Sequence, residues 1–330
     1  MYEKVRYTGK GVTNSVRRYL SIMLAFLVCV SFLASAVAWS NGGYTSGDYV
    51  IYGTHDMIAN TAYYIVRDHE PEAVGYIGSV DKWRDFLYYT EWPDMGPTEL
   101  GYPDWENHNY DFHDYGYCGE APQRGAAPKV RELYWQAVEN ISLWQKGGSE
   151  EYAKNAAKLM GLLAHYFGDI TVPMHTDDTS DGSPEHTETT LLFPDGKTKE
   201  DSYHSLYEKA IDWGVKTNSS DNITNVILER TRGYAPTHID DIESFVIETA
   251  MRSNGYPDEV SATDPQGSTV GAGYWRSVEK VRECVDESLS YKGIPGMDEE
   301  LYGETLDLLT MAVEGFTDIL YSAWLDASEM

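Results

Sequence analysis

The alternation of apolar and polar positions along the chain predicts helices joined by polar loops. Pro128 opens a segment whose apolar residues recur at helical spacing as far as Trp144, and Gly147-Gly148 ends it. A second apolar stripe runs at the same spacing from Glu151 to Asp169. Further helix-compatible segments are 48–66, 83–89, 241–252, 274–291 and 298–325. Strand-like alternation is scarce and no internal repeat is evident, so the sequence predicts an all-α fold, a single multi-helix domain.

Two polar stretches interrupt the helical pattern. Residues 93–125 are rich in Gly, Pro, Asp, Asn and aromatic residues, a composition typical of a long functional loop. Residues 176–202 are interpreted as a second polar loop.

The N-terminus has the three parts of a secretory signal peptide. A basic region is followed by an apolar run from Leu20 to about Phe32 and by the small-residue site Ala36-Val-Ala38. Cleavage is therefore predicted before Trp39, with residues 1–38 as the signal peptide and the protein secreted or extracytoplasmic. An uncleaved membrane anchor is the competing interpretation, because Leu20 to Ala38 is near spanning length. Arg17-Arg18 leaves the twin-arginine export route open.

The charge of the chain disfavours anionic polymers as partners. Removing residues 1–38 takes away five basic side chains and one acidic one, which changes the net charge from −28 to about −32. Such a surface repels phosphate backbones and anionic lipid head groups unless salt or bound metal intervenes. We interpret it as a solubilised surface in a salty habitat, and it implies no protein partner. An exported chain would keep Cys118 and Cys284, with one disulfide or none between them.

The segment His165-Tyr-Phe-Gly-Asp169-Ile-Thr-Val-Pro-Met-His175 carries the most specific chemistry. Residues four apart share one face of a helix, so His165 and Asp169 can hold one cation together. Pro173 disfavours helix just before it, so His175 can approach from a bend rather than from the next helical turn. Nitrogen and carboxylate ligands in this mixture suit zinc.

Further candidate ligands lie on both sides of this segment. His204 and Glu208 repeat the His-x-x-x-acid spacing, and His55, Asp94 and His108 precede it. Taken singly, each has an ordinary interpretation: a surface or cap histidine, a turn aspartate after proline, a helical pair worth a few tenths of a kcal/mol. Their number and order favour metal binding.

In this order and spacing, the residues resemble the bacterial zinc-dependent phospholipase C family, an all-α fold that binds three zinc ions. In that family the mature chain begins with a Trp whose amino group and carbonyl oxygen bind zinc, and here cleavage is predicted before Trp39. The resemblance is carried by residues 39–215 and implies that 39–330 form one domain of this type. The matching positions are Trp39, His55, Asp94, His108, His165, Asp169, His175, His204 and Glu208.

The resemblance implies three zinc sites. One would be held by Asp94, His108, His165 and Asp169, a second by His175, His204 and Glu208, and a third by Trp39, His55 and the bridging carboxylate of Asp169. Three Zn²⁺ bring six positive charges against three carboxylates, and the remaining charge suits a phosphodiester. A zinc-bound water with a lowered pKa is the expected nucleophile. Asp94 is the catalytic candidate, accepting the proton of that water.

Several ligand assignments have competitors in the sequence. His113 competes with His108, and the spacing from Asp94 favours His108. The interval between His175 and His204 is longer than in the family, and its insertion brings His186 as a competitor of His204. His69 and His238 match no family position and are interpreted as surface residues.

The resemblance implies a secreted zinc-dependent phosphodiesterase, a phospholipase C that releases diacylglycerol and a phosphorylated head group at a membrane or micelle surface. No acidic residue lies near Trp39, so choline specificity is not implied. The first alternative is a single-strand nuclease of the same fold. Such nucleases tend to have Asp where Glu208 stands, and the sequence offers no basic patch for nucleic acid. The second alternative is a non-catalytic exported zinc-binding protein.

Overall fold

The computed structural model describes residues 45–46, 49–50, 53–95, 104, 107–110, 125–176, 187–217, 222–255, 262–263, 269–270 and 272–330. All of these belong to one compact unit, Val37–Met330. The predicted signal peptide, its cleavage site and Trp39 lie outside the described residues and stay predictions.

Helices dominate the structure, which confirms the predicted all-α fold class. Several begin where a side chain accepts a hydrogen bond from a helical N–H of the first turn, as Ser202, Asn222, Asp241 and Asp298 do. The helices are α1 (Thr54–His69), α2 (Val80–Tyr89), α3 (Trp92–Met95), α4 (Ala126–Gln145), α5 (Glu150–Asp169), α6 (Tyr203–Lys216), α7 (Ile223–Arg230), α8 (Ile242–Asn254), α9 (Ala272–Asp286) and α10 (Glu299–Glu329), with 3₁₀ turns at Pro71–Ile77 and Pro173–Thr176.

The strands of the described residues occur as antiparallel two-stranded hairpins. The longest is an arm whose two strands pair from Glu188 with Ser202 to Leu192 with Thr198 and lead directly into α6. The strands are β1 (Thr45–Ser46), β2 (Tyr49–Val50), β3 (Glu188–Leu192), β4 (Thr198–Ser202), β5 (Ala262–Thr263), β6 (Thr269–Val270), β7 (Ser290–Tyr291) and β8 (Ile294–Pro295).

Helix α5 lies at the centre of the helical packing. It packs against α4, α2 and α1, and the 31-residue α10 packs across α1 and α4. Ala153, Ala156 and Ala157 face neighbouring helices and are fully buried, so those helices approach closely. From Gly161 to Asp169 every residue of α5 is buried. Polar side chains in this half of the helix are therefore enclosed by protein on all sides.

Three predicted boundaries are wrong. The helix predicted for 48–66 begins at Thr54, because Tyr49–Val50 pairs as a strand and the Asp56 carboxylate accepts a hydrogen bond from the Gly53 N–H at 3.1 Å. The helix predicted for 274–291 ends at Asp286, and β7 follows.

The third error concerns the polar loop predicted for 176–202. Residues 188–202 of that segment form the hairpin β3–β4. Its turn contains Asp195-Gly196, a strong turn signal, and the Asp195 carboxylate accepts a hydrogen bond from the Lys197 N–H at 3.0 Å.

Of the described helices, none combines the length and the apolar character that crossing a bilayer requires.

Candidate metal centre

The buried half of α5 positions the centre of the site. His165 and Asp169 lie one turn apart and have no exposed surface. The ring of His55, from α1, stacks on that of His165 with 4.0 Å between the ring centroids. Gly168 makes this approach possible, since a Cβ atom there would lie 2.8 Å from His55 Nδ1.

The first group of ligand atoms comes from His55, His165 and Asp169. His55 Nε2 lies 3.2 Å from Asp169 Oδ1, and His165 Nε2 lies 3.3 Å from the other oxygen, Oδ2. The two oxygens of one carboxylate therefore face different histidines, as they do when a carboxylate bridges two metal ions.

The second group adds Asp94, from the short helix α3, and His108 to the same His165. His165 Nε2 lies 3.5 Å from Asp94 Oδ1 and 3.2 Å from His108 Nδ1. His108 Nδ1 lies 2.8 Å from Asp169 Oδ2, so Asp169 reaches this group too. His165 is thus shared by two groups, whereas the sequence predicted it for one.

The third group consists of His175, His204 and Glu208. The 3₁₀ turn after Pro173 supplies His175, and the first turns of α6 supply His204 and Glu208. Glu208 Oε1 lies 3.2 Å from His175 Nε2 and 2.9 Å from His204 Nε2. These three ligands match the second predicted zinc site residue for residue.

The polar atoms of His55 and Asp169 approach the other ligands without hydrogen bonding. Within the described part of the chain, neither ring nitrogen of His55 and neither oxygen of Asp169 has a hydrogen-bond partner, although the contacts above are 2.8 to 3.3 Å. Buried polar groups are normally paired, and an unpaired one costs about 1–3 kcal/mol. A cation held by His55 Nε2 and Asp169 Oδ1 would satisfy those two atoms, so the residues present fit a metal.

A backbone contact fixes the tautomer of His165. The Thr90 carbonyl lies 2.7 Å from His165 Nδ1, so Nδ1 carries the proton and donates to it. Nε2 then presents its lone pair to the carboxylates of Asp94 and Asp169. When the carboxyl groups are ionised, a cation between these atoms would remove the repulsion between them.

Burial also sets the protonation of the site. It lowers the pKa of His55 well below its usual value, and the neighbouring histidines lower it further. Burial lowers the pKa of His108 in the same way. It raises the pKa values of Asp169 and Glu208 well above their usual range. His55 and His108 are therefore neutral and able to bind metal, whereas a metal must displace protons from these two carboxyl groups.

The ligand set is typical of catalytic zinc. It contains imidazole nitrogen and carboxylate oxygen, which zinc accepts at tetrahedral sites. Three side-chain ligands in a group leave a coordination position for water or substrate, as in catalytic rather than structural zinc sites.

Other predicted residues lie outside the groups or outside the described residues. Trp39, His113, His186 and Cys118 belong to the latter, so the roles predicted for them stay predictions. Of the two predicted cysteine states, the structure has Cys284 as a free, buried thiol. His69 packs edge-on against Tyr321 and His238 binds Asp326, both away from the groups. Sequence reasoning missed two residues that orient ligands: Thr90, which acts through its backbone, and Asn109, whose position beside His108 was the available signal.

Known proteins give limited context for this chain. No family model matches it, and no curated protein matches it. Among solved structures it is similar to the alpha-toxin of Clostridium perfringens from the avian strain SWCP, with 17% identity over 84% of this chain and a TM-score of 0.48. It is also similar to the alpha-toxin of Clostridium absonum, with 17% identity over 84% of this chain and a TM-score of 0.46. The match spans 65% of the length of each toxin. Similarity at this level gives no information on reaction or substrate.

Proposed function

We propose that this protein is a zinc-dependent phosphoric diester hydrolase that acts on phospholipids. The observation that carries the proposal is the convergence of buried ligand atoms around Asp169, where, among the described residues, neither ring nitrogen of His55 and neither oxygen of Asp169 has a hydrogen-bond partner. The resemblance of nine positions to bacterial zinc-dependent phospholipase C supports the same chemistry.

The proposed zinc sites follow the three groups of side chains. Asp94, His108, His165 and Asp169 would hold one ion, and His175, His204 and Glu208 another. His55 and the second oxygen of Asp169 would hold a third ion together with the terminal amino group and carbonyl oxygen of Trp39. Bound there, zinc would polarise a phosphoryl oxygen and lower the pKa of a coordinated water.

Asp94 is the proposed proton acceptor for the attacking water. Asp94 Oδ1 lies 3.5 Å from His165 Nε2 and 3.7 Å from His108 Nδ1, within the group that would hold the zinc ion. Burial lowers the pKa values of His55 and His108, so these two side chains would add no positive charge of their own.

A phospholipid suits the chain better than a polynucleotide. With a net charge of about −32 after export, the protein offers little counterion release to a phosphate backbone. Glu208 stands where single-strand nucleases of this fold tend to have Asp. The sequence near Trp39 lacks an acidic residue for choline, which supports a broad head-group preference.

The proposal is tested by comparing substrates under one set of conditions. Zinc-loaded protein beginning at Trp39 is incubated with phosphatidylcholine, phosphatidylethanolamine and single-stranded DNA at equal zinc and salt. We expect diacylglycerol and a phosphorylated head group from the lipids, with salt tolerated because it screens the acidic surface. Faster cleavage of DNA than of either lipid would identify a nuclease. No cleavage by protein holding three zinc ions would identify a non-catalytic binding protein.

Export belongs to the same proposal. Residues 1–38 have the order of a signal peptide, and Trp39 acquires a free amino group only if that segment is removed. Sequencing the N-terminus of the protein recovered outside the cytoplasm tests this step, and the expected first residue is Trp39.

A further inference from the structure

The segment 107–110 joins two of the metal-ligand groups. His108 belongs to the group with Asp94 and His165, whereas the next residue, Asn109, reaches into the group of His175. Two adjacent residues therefore act on different groups.

We propose that Asn109 is a positioning residue that sets the zinc affinity of the His175–His204–Glu208 group. This inference rests on the proposed zinc chemistry. The side-chain oxygen of Asn109 lies 2.7 Å from His175 Nδ1. An amide oxygen only accepts, so the proton of the neutral imidazole resides on Nδ1. His175 Nε2, which lies 3.2 Å from Glu208 Oε1, then has its lone pair free to bind a metal held together with that carboxylate.

The backbone holds Asn109 in this place. Its carbonyl accepts a hydrogen bond from the Ala126 N–H at 3.0 Å, and the His175 carbonyl accepts one from the Tyr110 N–H at 2.9 Å. Gly125 has a φ of 93°, and a Cβ atom there would lie 2.7 Å from the Asn109 carbonyl oxygen. The chain thus uses a glycine where a side chain would push Asn109 away.

The contrast with His165 shows what Asn109 adds. His165 donates its Nδ1 proton to a backbone carbonyl, which no single substitution removes. His175 donates to a side chain instead, so one substitution changes its orientation and basicity. Loss of a residue that hydrogen-bonds a metal ligand typically lowers metal affinity about 10–100-fold.

The test compares metal binding by purified Asn109→Ala and Asn109→Asp proteins, using Zn²⁺ and the chromophoric Co²⁺ as probes. For Asn109→Ala we expect the protein to bind one of three metal equivalents about 10–100-fold more weakly, while its affinity for the other two stays unchanged. Asn109→Asp retains an acceptor oxygen and should bind that equivalent at least as tightly as the natural protein. Asn140→Ala is the matched control, since Asn140 lies on the exposed face of α4 and its side-chain amide donates to the Gln136 carbonyl at 2.8 Å.

A second variant identifies which equivalent is affected. His204→Ala should lose the same metal, and adding Asn109→Ala to it should cause no further loss. Wild-type affinity in Asn109→Ala, equal weakening of all three metals, or weak binding by Asn109→Asp would overturn the proposal. Binding is measured without substrate, so a protein that holds three metals but cleaves nothing refutes the proposed hydrolase and leaves this test intact.

Discussion

His55 Nε2 lies 3.2 Å from Asp169 Oδ1, yet the two atoms form no hydrogen bond. Both side chains are fully buried, which lowers the pKa of the imidazole and raises that of the carboxyl. A zinc ion between them would be bound by both atoms. The other oxygen of Asp169, Oδ2, lies 2.8 Å from His108 Nδ1 and 3.3 Å from His165 Nε2.

Replacing Asp169 should therefore disturb two metal sites, whereas replacing His204 should disturb one. We expect Asp169→Asn to lose about two zinc equivalents and His204→Ala about one. Both should lose more activity than the ~10–100-fold typical when a residue that hydrogen-bonds a metal ligand is replaced. Metal content of the two purified proteins checks this. Equal losses from both would contradict the bridging role of Asp169.

Gly168 is expected to be essential for the position of His55. In Gly168→Ala the new Cβ atom would meet His55 Nδ1 at 2.8 Å, so the ring must move away from Asp169. We expect a loss of about 1–3 kcal/mol in the free energy of unfolding together with weaker binding of one zinc.

Gly303→Ala is the matched control for Gly168→Ala. Gly303 is also helical, in α10, and a Cβ atom there meets nothing within 4 Å. This substitution should stabilise the protein by about 0.5–1 kcal/mol and leave zinc content unchanged. Similar effects of the two substitutions in denaturant unfolding and zinc analysis would show that the approach of His55 is not the cause.

The main helices and the ligand order were predictable from the sequence, because both follow short-range spacing. Helix α5 shows this best, since one segment contains the apolar stripe and the His165–Asp169 pair. The roles of Thr90 and Asn109 were not predictable in this way. A backbone carbonyl has no signature in the sequence, and the contact from Asn109 to His175 spans 66 residues. The hairpin β3–β4 was missed because its alternation is short and mostly polar.

Buried carboxyl groups should make the metal-free protein less stable as the pH rises above neutrality. Burial raises the pKa of Glu91 to about 9 and that of Asp56 to about 7. Their usual values are 4.5 and 3.8, so the folded state binds more protons than the unfolded state in this range. Stability then falls with pH. The histidines with lowered pKa values oppose this only below about pH 6.5.

Thermal unfolding of chelated protein between pH 6.5 and 9 measures this effect. We expect the melting temperature of the natural protein to fall between pH 6.5 and 9. The melting temperature of Glu91→Gln should fall less, because the Gln side chain stays neutral. A melting temperature that is constant or rises in the natural protein would show that Glu91 is charged when folded.

Processing should complete the site that contains His55. An α-amino group binds zinc only when free and deprotonated, and its ordinary pKa is about 7.7–8.0. A protein with one extra Ala before Trp39 should therefore hold one zinc fewer than the protein that begins at Trp39, and should lose most activity. Full zinc content and unchanged turnover in the extended protein would refute a ligand role for this terminus.

The most direct test of the central claim is the metal content of the purified protein that begins at Trp39, determined by elemental analysis after removal of loosely bound ions. The ligand groups around Asp169 and Glu208 predict about three zinc ions per chain, and chelation should lower both zinc content and thermal stability. One zinc ion per chain, or none, would contradict the trinuclear centre.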